Sequence, residues 1–264
     1  LLYFCSRVAK YNKVALTGEC ADEIFGGYPW FYREDLLQVD GFPWSADISA
    51  RTAFLSPDFV RELRLQEYVN DKYRDTVKSV PKLTQETPAA ARHREITYLN
   101  IIWFMQTLLD RMDRMSMYCG LEARVPFADH RIVEYVYNVP WSMKYRNNVA
   151  KSLLREACRD LLPEAILMRR KSPYPKTYHP EYERLLSQRL QDILSNPNSP
   201  IIPLIDKQKL LSFLQAPAEY GKPWFGQLMA APQLVAYFLQ VNYWLEKYTH
   251  YAVDKGRVFL YDKY

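Results

Sequence analysis

The chain has 264 residues, 48% hydrophobic, 25% charged and 15% aromatic, a composition that suits a globular protein with a sizeable core and excludes a disordered one. Only 8 residues are glycine, about half the usual share of roughly 7%, so collagen, low-complexity linkers and glycine-rich phosphate loops are poor expectations. The net charge of +5, from 35 basic and 30 acidic residues, suits weak attraction of an anion such as a nucleotide, but the charges alternate, and no basic stripe or nucleic-acid motif appears. Residues 1–12 read as the end of a helix. Val14 to Leu16 reads as a short buried strand closed by Gly18. A loop rich in Pro, Gly and Ser then runs to about Pro57. Long helices are expected over 58–79 and 88–118, the first highly charged and solvated. The second carries Ile96, Leu99, Trp103, Leu108, Met112 and Met115 near a 3.6-residue repeat, and its all-apolar middle, Ile101 to Met105, predicts the central buried helix.

Shorter helices are predicted at 129–138, 151–162, 178–195, 207–215 and 229–248, with prolines marking the connections. "NPNSPIIP" (196–203) reads as a linker. No repeat is evident, and one compact, mostly helical unit is expected. Cys5, Cys20, Cys119 and Cys158 are far apart, without zinc spacing or need of a disulfide framework, so a reducing cytoplasm is the simplest compartment. The longest apolar run is far short of the roughly 20 residues that span a bilayer, so neither a membrane nor a nucleic acid is an expected partner. A start at Leu1 rather than Met suggests a piece of something longer.

Three segments could carry chemistry. "VALTGECADEIFGGY" (14–28) is a strand entering a Gly-containing turn and an acidic helix start. Glu19, Asp22 and Glu23, at i, i+3 and i+4, are expected on one face. Acids at a helix N-terminus are favoured by its dipole; carboxylates at a strand's carboxyl end also suit Mg²⁺ with phosphate oxygens. Both readings stand. "LDRMDRMSMYCGLEARVPFAD" (109–129) alternates Asp110, Arg111, Asp113 and Arg114, either as exposed ion pairs or as a cleft lining. Arg124, before a Pro-constrained loop, could present its fork to a carboxylate or phosphate. In "KSLLREACRDLLPEAILMRRKSPYPKTYHP" (151–180), the basic run ending at Lys171 is either solvated surface or, on a loop stiffened by Pro173 and Pro175, a cation reaching an anionic reaction centre. The four histidines show no paired spacing, and no hydrolase triad is apparent.

Together these segments resemble the synthetase domain of glutamine-dependent asparagine synthetases. The family's S-G-E-G-A-D-E-x-F-G-G-Y stands here as "TGECADEIFGGY". Its R-x-D-R-M-S-M…L-E-x-R-V-P-F-x-D and K-x-x-L-R-E-A…L-P…I…R-x-K patterns follow in order, ending at Lys171. The resemblance implies a mainly α chain that is the C-terminal, helix-rich part of an α/β Rossmann-like ATP-pyrophosphatase (adenine nucleotide α-hydrolase-like) synthetase domain. It implies that residues 1–264 are a partial amidoligase domain. The partners it implies are ATP, Mg²⁺, aspartate, and ammonia released from glutamine by an N-terminal glutaminase domain of the same polypeptide; a homodimer is left open. The implied reaction is adenylation of aspartate to β-aspartyl-AMP, then amidation to asparagine. Thr17 and Gly18 would meet the nucleotide, Glu19 would organise pyrophosphate and intermediate, and Asp22 would bind Mg²⁺. Arg111 and Arg124 would bind substrate, and Lys171 would stabilise the transition state.

The family's S-G-G-x-D-S loop and its glutaminase Cys are not in this sequence, so the isolated chain is expected to be inactive. Cys20 replaces a usual Gly, Thr17 a Ser, and Ala128 a Leu. Amidation of another carboxylate, such as peptidoglycan diaminopimelate, and a non-catalytic helical interaction module are the alternatives.

Overall fold

A computed structural model of the chain describes residues 1–45, 48–171, 179–215, 221–224, 227–248, 251–254 and 257–260. Helix dominates, and strands occur among these residues in two-stranded pairs. The chain forms two compact units rather than the expected one: Leu1–Pro43 with Tyr73–Ser172, and Trp44–Lys72 with Pro173–Tyr264. Helical periodicity is local, so it cannot tell which helices share a core.

In the first unit Val14–Leu16 forms the expected strand. It pairs in parallel with Glu122–Arg124, placing Val14 opposite Glu122, Ala15 opposite Ala123 and Leu16 opposite Arg124. The strand is not buried as expected, since Leu16 is 75% exposed and Val14 40%. Burial of a parallel strand needs layers on both faces, and among the described residues this sheet has only two strands.

The long helical stretch comprises an α-helix Pro88–Leu99, a π-helical stretch Asn100–Met105 and an α-helix Gln106–Tyr118. Thr87 starts it by accepting a hydrogen bond from the Ala90 N–H at 3.3 Å, with Pro88 at the first helical position, where the missing proline N–H is no loss. Ile96 and Leu99 are fully buried, whereas Ile102 and Trp103 are more than a third exposed. The predicted central buried segment is therefore half surface. The expectation rested on a run apolar on every side, and such a run does not say how many of its sides find packing partners. The predicted helix over 58–79 is likewise two, Pro57–Leu63 and Leu65–Lys78, separated at Arg64 by a left-handed φ of +42°.

Beneath the acidic segment, Cys20, Ile24, Phe25, Met105 and Val136 form a buried cluster. Each of the larger apolar side chains there contributes about 1.5–3 kcal/mol by leaving water.

The second unit packs helices Pro180–Ser195, Lys207–Gln215 and Ala231–Tyr248 around Leu190, Leu194, Leu210, Leu234 and Phe238. The predicted linker 196–203 belongs to this core. Ile201 is buried and a 3₁₀ turn, Ile202–Leu204, buries Leu204 as well. Pro and Asn turn the chain there, while the isoleucines supply apolar surface. No helix of the described residues is long and apolar enough to cross a membrane.

Candidate active site

The site begins where the first strand ends. The Thr17 N–H donates to the Arg124 carbonyl at 2.9 Å, and the Glu19 N–H donates to Thr17 Oγ1 at 3.3 Å. Cys20 then turns the chain with a left-handed φ of +71°, and a five-residue helix, Ala21–Phe25, follows. Gly26 ends that helix with φ +75°. A Cβ on Gly27 would lie 1.8 Å from Asp22 Oδ1, so the Asp22 carboxylate can rest against the backbone only because residue 27 has no side chain.

Since the helix starts at Ala21, Glu19 lies outside it, and the expected common face of three acids does not form. Each acid has a different partner. Glu19, whose side chain is 12% exposed, takes Arg111 Nη2 on Oε1 at 2.9 Å. Asp22 takes Lys171 Nζ on Oδ2 at 2.7 Å and Lys151 Nζ on Oδ1 at 2.9 Å. Glu23 is fully buried and accepts a short hydrogen bond from the Tyr28 hydroxyl. Three cations, Arg111, Lys171 and Lys151, thus face the carboxylates of Glu19 and Asp22.

Burial alone would raise the Asp22 carboxyl pKa, but Lys171 and Lys151 outweigh it and hold the value below the ordinary 3.8. Burial pushes Glu23 up despite its bond from Tyr28. Burial and the neighbouring Glu23 also push the Tyr28 hydroxyl up. The Cys20 thiol is pushed up to about 12, first by burial and then by Glu23 and Glu19, so it stays protonated and is no nucleophile.

A depressed carboxyl pKa means that the Asp22 ion pairs stabilise the fold fully above about pH 4 and lose that effect as pH falls through the lowered value. The stability advantage of the parent protein over Asp22→Asn should therefore be level from pH 5 to 7 and vanish on acidification below about pH 4. Denaturant titrations at stepped pH would measure it. A difference that stays constant down to pH 2 excludes the assignment.

Of the residues singled out in the sequence, Glu19 with Arg111 and Asp22 with Lys171 form two ion pairs, and Thr17 joins Glu19 through the turn. Gly18 adjoins them and is open to solvent, with nothing within 4 Å of where a Cβ would sit. Arg124 lends only its carbonyl; its guanidinium is bound to Glu122 at 2.9 Å on the same strand. Pro173 and Pro175, read as stiffening the Lys171 loop, lie outside the described residues. Lys151 was missed, although it opens the third motif, because it reads as the first residue of an amphipathic helix. In the fold it is a left-handed N-cap, φ +58°, before Ser152–Ala157.

Oxygen donors suit Mg²⁺, and Glu19 Oε2 is buried without a hydrogen-bond partner. Both Asp22 oxygens, however, face lysines. Among the described residues no group of three His, Cys, Asp or Glu is arranged to hold a metal ion. The donor set would suit Mg²⁺ carried by phosphates. It does not fit a free ion.

The family model described as asparagine synthase matches residues 1–246. The chain is 49% identical over 249 residues to asparagine synthetase (glutamine-hydrolyzing) 3 of Bacillus subtilis, an alignment covering 94% of this chain and 40% of that protein. It is 30% identical over 208 residues to asparagine synthetase (glutamine-hydrolyzing) 1 of the same bacterium, covering 66% of this chain and 32% of the relative. To the Mus musculus asparagine synthetase it is 37% identical over 91 residues, 33% of this chain and 16% of the relative. The chain therefore spans less than half the length of the curated relatives it matches. With its acidic turn paired to both later motifs, through Glu19 and Asp22, it belongs to the asparagine synthase family.

Proposed function

We propose that the chain forms one side of an ATP-dependent amide-forming site, with aspartate as the acceptor. The observation that carries this reading is the Asp22 carboxylate held between Lys151 and Lys171, beside the Glu19–Arg111 pair. Phosphate transfer asks for little beyond positioned positive charge and exclusion of the wrong geometry, and that is what these residues offer.

In the proposed reaction the aspartate β-carboxylate attacks the α-phosphorus of ATP, and pyrophosphate leaves. Ammonia released from glutamine by an N-terminal glutaminase domain then displaces AMP from β-aspartyl-AMP and yields asparagine. Thr17 and Gly18 meet the nucleotide at the strand's end. Lys171 neutralises charge developing on the α-phosphate, and Lys151 shares the pyrophosphate side. Arg111 binds a substrate carboxylate, while Glu19, paired with it, organises the pyrophosphate and the intermediate. Arg124 reaches substrate only by leaving Glu122. Mg²⁺ arriving with ATP would neutralise the phosphates, with Asp22 as its protein carboxylate. A reducing cytoplasm suits the four free cysteines.

Glu19→Ala in the full-length protein tests this reading. Aspartate-dependent AMP formation should fall by about 10²–10³, and unchanged synthesis would refute the role. Supplying diaminopimelate in place of aspartate asks which carboxylate is adenylated.

A further inference from the structure

We infer that Tyr28 is a positioning residue for Lys171: its ring is the platform that fixes the ammonium over the reaction centre. This deepens the proposed function, and it rests on the reading of Lys171 as the transition-state cation.

Lys171 Nζ lies 3.7 Å from the Tyr28 ring centroid, well inside the range at which an ammonium is attracted to an aromatic face. The Trp30 ring stacks on Tyr28 at 4.4 Å and 16°. The Phe104 ring meets it edge-on at 5.2 Å and 71°. Phe104 comes from the π-helical stretch, a feature often found where a functional group must be placed. The hydroxyl is tied to buried Glu23, one residue after Asp22, which pulls Lys171 from the side at 2.7 Å. Donating a hydrogen bond to a carboxylate oxygen also makes the phenol ring richer in electrons, and so a better seat for a cation.

The ring is thus held by two aromatic neighbours and by its hydroxyl, and the flexible lysine rests over one of its faces. A lysine is a point charge on a four-carbon stem with many rotamers. With Asp22 alone it would swing about one contact, whereas Asp22 and the ring together fix two directions. Catalysis by developing-charge stabilisation depends on that preorganisation. Within "FGGY" the glycines hold Asp22 against the turn, and the tyrosine then completes the lysine seat.

The test makes Tyr28→Phe in the full-length protein, then exchanges Tyr28 for phenylalanines of increasing fluorination, which keep the ring's shape while draining its face of electron density. Lys171 acylation by acetic anhydride, without nucleotide, is read by peptide mass spectrometry. Labelling is expected to rise stepwise, about fivefold across the series, with the other lysines unchanged. In the same series kcat should fall by a similar factor while KM for ATP stays within about twofold. A flat labelling series, or labelling that rises while kcat holds, overturns the positioning role. Absence of aspartate-dependent AMP formation in the parent protein would instead overturn the proposed function, and the labelling series would still decide whether Tyr28 seats Lys171.

Discussion

In the full-length protein, Lys171→Ala should lower the rate of pyrophosphate release by about 10²–10³ while moving the unfolding midpoint little. The asymmetry follows from the surroundings of the side chain. Its stem and head are 40% exposed, so the ion pair with Asp22 is screened and contributes about 1 kcal/mol or less to stability. Asp22 also keeps Lys151 at 2.9 Å after the change, so no buried carboxylate loses all compensation. What disappears is a cation held ready for charge that exists only during the reaction. Steady-state pyrophosphate release and urea denaturation on the same preparation would measure both quantities. A variant that retains a rate within threefold of the parent would remove Lys171 from the chemistry.

The largest effect on stability is expected at Gly26. A Cβ there would lie 2.3 and 2.6 Å from two ring carbons of Trp141. That indole is stacked with Phe31 at 5.7 Å, His93 at 4.6 Å and Tyr145 at 5.6 Å, so it has little room to retreat. The φ of +75° adds about 1 kcal/mol for any residue with a Cβ. Gly26→Ala should destabilise the protein by about 3 kcal/mol or more. Gly18→Ala is the matching control, since nothing lies within 4 Å of its Cβ position, and it should change stability by about 0.5 kcal/mol at most. Denaturant midpoints for the two variants would separate the effects. Equal midpoints would mean that Trp141 does not close on Gly26.

Much of the site was legible because its parts are local words. The acidic turn, the Arg111 segment and the run ending at Lys171 each announce unusual charge in a short span. Their meeting was not legible. Lys171 and Asp22 are 149 positions apart, and nothing in either segment alone reveals the other. Lys151 was hidden for a related reason: at the head of an amphipathic helix a lysine reads as a solvated residue, and only the fold turns it toward Asp22. The acids of the first segment were misread because a 3.6-residue count was begun at Glu19. Cys20 breaks the count with a conformation normally reserved for glycine, which stands at that position in the family pattern. Among the strands, Val14–Leu16 carries an apolar run, whereas Glu-Ala-Arg at 122–124 carries none. The two compact units escaped because helix period and proline spacing describe neighbours along the chain, not across a core.

The π-helical stretch Asn100–Met105 also acts as a phase shifter. An α-helix advances about 100° per residue, so one extra residue absorbed in a wide turn resets the azimuth of everything that follows. Ile96 and Leu99 point into the core before the stretch, and Arg111 points to Glu19 after it. Rewinding the stretch as regular α-helix with all its residues kept would rotate the second half by about one residue's turn. The arginine would then face away from its carboxylate, though no side chain at the site had been altered. Register within this one helix therefore belongs to the active site as much as the groups that line it.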